Sequence, residues 1–376
     1  MVTIRVPLAE QRDASYDILI GRGLFADMPA LLRRHCPADA YALITDSNVE
    51  GLYAAPLAAR LRGAEGSGGG LVVEVLAFPA GERHKTRDTW AAISDRMLAG
   101  RLGRDCAVIA LGGGVVGDVA GFIASTYLRG VPYVQVPTSL LAMIDSSIGG
   151  KTGVDTPAGK NLIGAFHQPR LVIADLDALD TLPPAHLAAG MAEAVKHGAI
   201  ADAAYFAFLD AERERIRRRD ASTLERVVAR SVEIKAQVVA GDEREAGRRA
   251  VLNFGHTIGH AVEAASRFEM LHGEAIAVGM AYEARLAERL GIAEPGTAAR
   301  IAGALAGYGL PLELPGGAGG PGTDALLDAM RHDKKTRGGA IRFALPSRVG
   351  AMQGSEQLGW TVAASEELVR DILAGH

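Results

Sequence analysis

Short apolar runs alternate with stretches of helical spacing through the first half of the chain. Buried strands are predicted for the apolar runs at 40–45, 71–78, 107–111, 133–136 and 171–174, and a paired strand at the start for 2–6 and 16–20. Helices are predicted between them at 49–62, 85–99 and 116–127. Strands that alternate with helices predict a mostly parallel sheet with helices on its faces.

The pattern changes after Asp175. Pro183 and Pro184 open a series of helix-compatible segments, and Ser222 to Glu225 has the spacing of a capping box before one such helix. Late in the chain, only 341–345 has the character of a strand. We therefore predict an α/β domain over residues 1–178 and a mainly α-helical domain over residues 179–376.

The composition is that of a globular protein with sizeable cores, since 48% of the 376 residues are hydrophobic. A formal net charge of −4 gives no general electrostatic basis for binding nucleic acid. The longest apolar stretch, 107–124, is interrupted by five glycines and Asp118, so it does not predict a membrane span. With only Cys36 and Cys106, and a start that lacks the apolar core of a signal peptide, the sequence predicts a reducing, cytoplasmic location.

Three of the ten histidines, His256, His260 and His272, lie in a short stretch that we term the histidine cluster. His256 and His260 are four residues apart and share one face if the segment is helical. A catalytic zinc usually has three protein ligands, and a histidine pair needs a carboxylate from elsewhere to complete such a site. The alternative interpretation is a set of hydrogen-bonded helix residues near a surface.

The sequence Gly112-Gly113-Gly114-Val115-Val116-Gly117-Asp118, here termed the glycine loop, follows a predicted strand and opens a predicted helix. It satisfies G-x-G-x-x-G, which brings backbone amides and a helix N-terminus up to a pyrophosphate. The loop does not follow the first strand, however, and it lacks the acid that usually binds the ribose about 20 residues downstream. Asp46, at the end of an upstream strand, could take that role. A plain glycine-rich turn is the alternative.

Gly150-Lys151-Thr152 resembles the end of a P-loop. The first glycine of that motif would fall on Asp145, so a nucleotide-hydrolysing P-loop is rejected. The surrounding glycine-rich segments still gather cations and an amide that suit an anionic substrate or a cofactor diphosphate, namely Arg129, Lys151, Lys160 and Asn161. Loop lysines are often merely solvated, which is the alternative for each of them.

Lys235 differs from these loop residues because it lies within a predicted helix. It shares a helical face with Val228, Val232 and Val238. Its ammonium group therefore either reaches solvent or meets an anion in the interior.

Motifs in one order along nearly the whole chain carry a specific resemblance. They are Asp46-Ser47-Asn48, Pro79-Ala80-Gly81-Glu82 with Lys85, the glycine loop, Pro137-Thr138-Ser139-Leu140-Leu141-Ala142, Asp145 to Gly153, Gly159-Lys160-Asn161, Ala192-Glu193-Ala194-Val195-Lys196, the histidine cluster and Asp333-Lys334-Lys335. Together they resemble the 3-dehydroquinate synthase family of sugar phosphate cyclases. The resemblance implies an N-terminal, Rossmann-like NAD-binding domain and a C-terminal helical domain, with the active site in the cleft between them.

The resemblance also implies roles for single residues. Glu193 would supply the missing carboxylate and bind zinc or cobalt with His256 and His272, while His260 would be catalytic. The implied NAD contacts are Asp46, Asn48, Glu82, Lys85, Gly114, Val115, Asp118, Thr138, Ser139 and Lys160. The implied substrate contacts are Asp145, Lys151, Asn161, Lys196, Lys235, Arg249, Asn253 and Lys335. The implied catalytic set is His260, Lys151, Glu245, Asn161 and Arg129.

Two positions depart from the family pattern. Ser139 stands where threonine is commoner, and His197 replaces a frequent tyrosine. Because serine keeps the hydroxyl group and position 197 carries no implied role, we expect neither change to remove activity.

The implied reaction converts 3-deoxy-D-arabino-heptulosonate 7-phosphate into 3-dehydroquinate and phosphate, a step of the shikimate pathway. A hydride passes from a ring carbinol to NAD, and the resulting ketone acidifies the neighbouring C–H so that phosphate can leave. The hydride later returns, and ring opening with an aldol closure follows. The resemblance further implies a homodimer.

Other functions predict different residues. A sister cyclase would share the metal and NAD residues but differ around the substrate, where Asn253 and Lys335 resemble the dehydroquinate branch. A metal-dependent hydrolase would not need the glycine loop, and a non-catalytic binding protein would need neither the loop nor the metal ligands. A polyol dehydrogenase of related fold would lack the cations Lys151, Lys196, Lys235 and Arg249.

Overall fold

The strands predicted as buried form one parallel sheet. The computed structural model of the protein describes residues 13–63, 71–157, 159–266, 269–315, 322–332 and 340–375. The strands of its first half are β1 (Asp17–Gly21), β2 (Ala40–Asp46), β3 (Val72–Phe78), β4 (Cys106–Gly112), β5 (Tyr133–Pro137), β6 (Lys151–Thr156), β7 (Gly159–Phe166) and β8 (Leu171–Asp175). Six of them pair in parallel in the order β1-β8-β5-β4-β2-β3. This confirms the predicted sheet.

Two features of the first half differ from the prediction. The segment around Lys151, expected as a glycine-rich loop that carries cations for an anionic ligand, is an antiparallel hairpin of β6 and β7. The second difference is at the start, where β1 pairs in parallel with β8, and its predicted partner at 2–6 lies outside the described residues. Glycines spaced through the hairpin masked its strand character, because they lower strand propensity.

Helices cover the faces of the sheet. They are α1 (Leu24–His35), α2 (Ala55–Arg62), α3 (Arg87–Ala99) and α4 (Gly114–Thr126). The last three confirm the predicted helices within a few residues. The sequence pattern does not predict α1, because Pro29 within it is a residue that usually marks a helix break.

The second half is mainly helical, as predicted. Its helices are α5 (Pro184–Ala201), α6 (Ala203–Ala211), α7 (Arg213–Arg217), α8 (Ala221–Gly241), α9 (His256–Ala265), α10 (His272–Arg289), α11 (Thr297–Gly307), α12 (Thr323–His332) and α13 (Glu366–Leu373). Four short strands accompany them, β9 (Ile341–Phe343), β10 (Pro346–Arg348), β11 (Ala351–Met352) and β12 (Val362–Ala364). Of these four strands only β9 was predicted, from the run at 341–345.

The capping box predicted at Ser222 to Glu225 is wrong. Helix α8 begins one residue earlier, and Ser222 lies inside its first turn. Asp220 is the actual cap, because its Oδ1 accepts a hydrogen bond of 3.0 Å from the backbone N–H of Thr223.

Helix α5 occupies the centre of the largest hydrophobic cluster. Every residue from Ala189 to Ile200 is buried, and Met191 and Val195 pack in the same cluster as Met143 and Ile144 of the first half. The predicted domain boundary at 178/179 falls within a short 3₁₀ helix, Leu176–Thr181, and stays a prediction. Within the described residues, no helix is both long and apolar enough to cross a membrane.

The N-terminus of α6 depends on one carboxylate. Asp202 Oδ1 accepts hydrogen bonds from the backbone N–H groups of Ala204, at 3.0 Å, and Tyr205, at 2.9 Å. Its Oδ2 lies 2.7 Å from Arg230 on α8. Burial alone would raise the pKa of Asp202, but these N–H groups and Arg230 lower it below its usual value.

We predict that Asp202→Ala lowers the free energy of unfolding at pH 7 by about 1 kcal/mol, the typical value of an N-cap. Because the folded pKa is lowered, this stabilisation is present above pH ~4 and is lost as the pH falls further. Urea unfolding of both proteins between pH 3 and 7 measures the difference. Asp202→Asn, which keeps an acceptor at the cap, should lose less than the alanine variant. An alanine variant as stable as the parent at pH 7 would contradict the prediction.

Candidate active site

The implied NAD contacts lie at or shortly after the carboxyl ends of parallel strands, except Lys160, which lies in the β6–β7 hairpin. Successive strands are added to the sheet in opposite directions on the two sides of the β2–β4 pair. The chain goes from β2 outward to β3, whereas β5 and β8 lie on the other side of β4. Ligands of open α/β sheets bind at such a switch point. The structure therefore places the glycine loop after β4 at the expected position, although β4 is not the first strand. This position favours dinucleotide binding over a plain turn.

The glycine loop brings its backbone close to neighbouring side chains. A Cβ atom on Gly112 would lie 2.5 Å from Val116, and one on Gly114 would lie 3.0 Å from the hydroxyl of Ser146. Gly113 caps α4 without a side-chain hydrogen bond, so no side chain caps this helix N-terminus. A pyrophosphate would be bound here by the backbone N–H groups and the helix dipole. The hydroxyl of Ser139 lies beside the loop, 3.6 Å from where a Cβ of Gly113 would be.

Asp46 lies at the end of β2, across the switch point from the glycine loop. Its Oδ1 accepts hydrogen bonds from the backbone N–H groups of Asn48, at 2.8 Å, and Val49, at 3.1 Å. The turn thus fixes the carboxylate at the sheet edge, where it can accept from the hydroxyls of a ribose.

Lys85 and Lys160 connect the segment after β3 to its surroundings. Lys85 Nζ lies 2.6 Å from Asp118 and 3.9 Å from Glu82, while Lys160 Nζ lies 2.8 Å from Glu82. Burial would lower the pKa of Lys85, but the carboxylates of Asp118 and Glu82 raise it above its usual value. Lys85 is therefore cationic, and the structure brings these four predicted residues into one network.

Glu193, His256 and His272 converge as predicted. Their ligating atoms all lie within 4.8 Å of one another. Glu193 Oε1 is 3.6 Å from Nε2 of His256 and 3.5 Å from Nε2 of His272. Glu193 is fully buried, and its Oε1 receives no hydrogen bond from the described residues. A buried carboxylate oxygen that faces two imidazole nitrogens and accepts no hydrogen bond from the described residues fits a metal ion with oxygen and nitrogen ligands.

Three helices build this triad. Glu193 lies in α5, whereas His256 and His272 are the first residues of α9 and α10. Gly273 permits the approach of α10 to α5, since a Cβ there would lie 1.9 Å from the carbonyl oxygen of Ala189. The sequence His272-Gly273 therefore supplies a ligand and the close contact that positions it.

Two further groups of ligand-type residues overlap with the triad. His260, Glu263 and His272 form one, and Asp145, Glu193 and His197 the other. In the first, Lys160 already lies 2.7 Å from Glu263. In the second, Lys196 and Lys235 surround Asp145, and their positive charges disfavour a cation. Lys196 also pairs with Glu193, but through Oε2, so that Oε1 still faces the two imidazoles of the triad. The triad with His256 is thus the group that best fits a metal, and His260 is left beside it with its ring centroid 5.2 Å from that of His256.

Asp145 joins two buried lysines. Lys235 Nζ donates to Asp145 Oδ1 over 2.7 Å, and Lys196 Nζ lies 3.9 Å from the same oxygen. Of the two possibilities for Lys235, an anion in the interior is therefore confirmed. Burial alone would raise the pKa of Asp145, but Lys235 and Lys196 hold it well below its usual range. His197, with both ring nitrogens unbonded among the described residues, lies 3.7 Å from Asp145.

A second group lies next to it. Lys151 forms an ion pair with Glu245, whose Oε1 accepts a 2.7 Å hydrogen bond from Nδ2 of Asn253. Arg249 is almost fully buried and donates to the carbonyl oxygen of Gly149 over 3.2 Å. Burial opposes ionisation of Glu245, but Lys151 and Asn253 lower its pKa. The carboxylate is therefore ionised at neutral pH and can accept a proton.

Three implied catalytic residues have left-handed backbone conformations without being glycine. They are Arg129, with φ of 70°, Asn161, with φ of 53°, and Glu245, with φ of 57°. Arg129 is exposed and makes no ion pair with described residues, so the structure does not bring it into the charged groups above. Lys335 lies outside the described residues.

Two buried glutamates beside the histidine cluster were not identified from the sequence. Glu263 lies between His272 and Lys160, and Glu283 on α10 accepts hydrogen bonds from Gly255 and Ile258 at the start of α9. The spacing of Glu263, three residues after His260, could have indicated a neighbour on the same helical face. Glu283 gives no such signal, because its partners lie in another helix.

Comparisons with known proteins agree with this geometry. The family models described as 3-dehydroquinate synthase N-terminal and C-terminal match residues 75–189 and 190–336. The 3-dehydroquinate synthase of Symbiobacterium thermophilum is 49% identical over 345 residues, which cover 91% of this chain and 93% of that protein.

Two solved structures are similar along almost the whole chain. A 2-deoxy-scyllo-inosose synthase complexed with carbaglucose-6-phosphate, NAD+ and Co2+ is 30% identical, with a TM-score of 0.84 and 95% of each chain covered. The 2-epi-5-epi-valiolone synthase of Streptomyces hygroscopicus subsp. jinggangensis 5008, with NAD+ and Zn2+ bound, is 29% identical, with a TM-score of 0.86. The match covers 98% of this chain and 99% of that one. The similarity over almost the whole length of both chains supports the predicted architecture.

We predict that alanine variants of His272 and His260 differ in their metal content. His272→Ala should lose tightly bound zinc, because two remaining ligands hold the ion poorly. His260→Ala should retain one metal ion per chain, since His260 lies outside the triad. Elemental analysis after dialysis against zinc-free buffer measures both. Full zinc content in His272→Ala would remove this residue from the ligand set.

Proposed function

This chain belongs to the 3-dehydroquinate synthase family, and on that premise we propose that it converts 3-deoxy-D-arabino-heptulosonate 7-phosphate into 3-dehydroquinate and phosphate. NAD and a divalent metal, Zn2+ or Co2+, would serve as cofactors. One observation carries the proposal. A continuous series of ionic contacts connects the metal triad to the edge of the sheet that carries the implied NAD contacts, and to the buried cations around Asp145.

The chemistry explains why one site needs both cofactors. When bound, NAD supplies reversible hydride removal at a ring carbinol, and the metal ion polarises the carbinol oxygen and the enolate that elimination requires. The protein's part is to bind the sugar phosphate, orient it and move protons. By eliminating phosphate, the enzyme is a carbon–oxygen lyase.

The cationic residues suit an anionic substrate. Four cations, Lys151, Lys196, Lys235 and Arg249, outnumber the two carboxylates that form ion pairs within this group, Asp145 and Glu245, if Glu193 is assigned to the metal. The phosphate and carboxylate groups of the substrate would balance the excess positive charge. Lys151 is the most exposed of them, so it would meet the phosphate first, and Asn253 would bind a hydroxyl of the ring.

Proton transfer is assigned to His260 and Glu245. His260 lies beside the triad, with its ring centroid 6.0 Å from that of His272. Glu245 is ionised and fixed by Lys151 and Asn253. Both can exchange a proton with the substrate directly or through a bridging water. The phosphate group of the substrate is a further base, because it can reach a C–H of the same molecule.

Other functions are less well supported. A cyclase for another sugar phosphate would use the same metal and NAD residues, but its solved representatives are 29–30% identical against 49% for the dehydroquinate relative. A polyol dehydrogenase has no need for an excess of buried cations beside the metal. The homodimer and the role of Lys335 remain predictions from the family resemblance, and the cytoplasmic location remains a prediction from the cysteine content and the N-terminal sequence.

We predict phosphate release when the purified protein is incubated with the heptulosonate phosphate, zinc and NAD at a concentration far below that of the substrate. NAD should be regenerated in each turnover, so product should exceed NAD many times. Removal of zinc with a chelator should stop the reaction, and its return should restore it. Phosphate release that depends on neither NAD nor zinc would contradict the proposal. Accumulation of NADH in proportion to product would contradict it as well.

We further predict that Glu245→Gln lowers kcat by 10²- to 10⁴-fold, the range typical of a lost general base, without loss of metal. Glutamine keeps an oxygen for Asn253 but cannot accept a proton. Steady-state kinetics with elemental analysis measures both quantities. Glu243→Gln, a matched charge change two residues earlier, should retain near-parental activity. Equal loss in both variants would show a loop effect and not proton transfer.

A further inference from the structure

Glu263 occupies a central position that neither its sequence context nor the proposed reaction explains. It lies in α9, seven residues after His256, and is 3% exposed. Its Oε2 is 3.4 Å from Nδ1 of His272, and its Oε1 is 2.7 Å from Nζ of Lys160. One carboxylate therefore contacts both a metal-triad histidine and a lysine of the β6–β7 hairpin.

The ring of His272 lies between two carboxylates. Nε2 faces Glu193 Oε1 at 3.5 Å, whereas Nδ1 faces Glu263 Oε2. An imidazole that binds a metal through one nitrogen carries its proton on the other, and a carboxylate acceptor there fixes the tautomer and the ring orientation. His256 has the equivalent arrangement, because its Nδ1 lies 3.2 Å from the carbonyl oxygen of Phe254.

Lys160 fixes Glu263 in turn. Its ammonium group lies between Glu263 at 2.7 Å and Glu82 at 2.8 Å, and all three side chains are largely buried. Glu82 follows β3 on the dinucleotide side of the cleft. The orientation of His272 is therefore supported by a contact with the first half of the chain.

We propose that Glu263 is a positioning residue that accepts a hydrogen bond from Nδ1 of His272 and so presents Nε2 to the metal. The inference rests on the proposed function only in requiring that the triad binds a metal. Glu263 is not itself a ligand, because Lys160 already occupies its Oε1 and one imidazole cannot direct both nitrogens to the same ion.

The test is zinc affinity of the full chain, measured by competition with a chromophoric chelator in the absence of substrate and NAD. Glu263→Ala should weaken zinc binding by 10- to 100-fold, as is typical when an outer partner of a ligand histidine is removed. Glu263→Gln, which keeps a neutral acceptor oxygen, should recover part of this loss. Glu269→Gln, the same charge change at an exposed glutamate, should bind zinc like the parent.

The visible spectrum of the Co2+-substituted protein separates positioning from coordination. Parental band positions and intensities in Glu263→Gln, with one Co2+ per chain at saturation, would support the proposal. A spectrum that shows a changed ligand set would make Glu263 a ligand and overturn it, as would parental zinc affinity in Glu263→Ala. If the parent protein itself bound no zinc, the proposed function would fail in its metal requirement, which is a distinct result.

Thermal unfolding of the metal-free variants gives a second readout. Glu263→Ala also leaves Lys160 with one carboxylate partner in place of two, so some loss of stability is expected. A drop in metal affinity that Glu263→Gln recovers in part, at equal stability of the two variants, supports positioning. Affinity that follows stability alone across the variants would overturn the proposal.

Discussion

Buried charges that alternate in sign hold the cleft together. Each ionisable group in this series lies within 4 Å of the next, and acidic and basic groups alternate. The order is Asp118, Lys85, Glu82, Lys160, Glu263, His272, Glu193, Lys196, Asp145 and Lys235. Buried ions are tolerated only when paired, and removing one partner typically costs 3–5 kcal/mol, roughly. The end of β3, the β6–β7 hairpin and five helices, α4, α5, α8, α9 and α10, must therefore keep their relative positions for these groups to stay paired.

This constraint also sets the electrostatics of the metal triad. Burial alone would lower the pKa of His272, but Glu263 and Glu193 raise it to about 10. In the absence of metal, a proton thus balances the two carboxylates at neutral pH, and a divalent ion would displace it. Glu193 and Glu263 thus stabilise a protonated His272 in the metal-free protein and a divalent ion at the triad in the metal-bound protein. The same ionic contacts therefore serve both the stability of the cleft and metal binding.

The sequence predicted those features that depend on residues close together in the chain. The strand pattern located all six strands of the sheet, although it did not predict the pairing of β1 with β8, and histidine spacing indicated a metal site that needed one carboxylate. Spacing could not identify Glu193, because it lies 63 residues before His256 and meets it only through the packing of α5 against α9 and α10; the family resemblance supplied it. Glu263 and Glu283 were missed for the same physical reason, since their partners come from other elements. The hairpin was misread because its glycines serve close backbone contact, as at Gly153 and Gly164, and not a phosphate.

Backbone strain occurs at three of the residues that the family resemblance places in the catalytic set. Arg129, Asn161 and Glu245 adopt positive φ values that glycine would adopt freely, and a left-handed conformation costs a side chain about 1–2 kcal/mol. Asp242 offsets this cost around Glu245, because its carboxylate accepts hydrogen bonds from the backbone N–H groups of Ala246, Gly247 and Arg249. A glycine at 245 would relieve the strain but remove the partner of Lys151 and Asn253. The chain thus accepts a strained turn to direct one carboxylate towards a lysine and an amide, as expected of a residue that is selected for function.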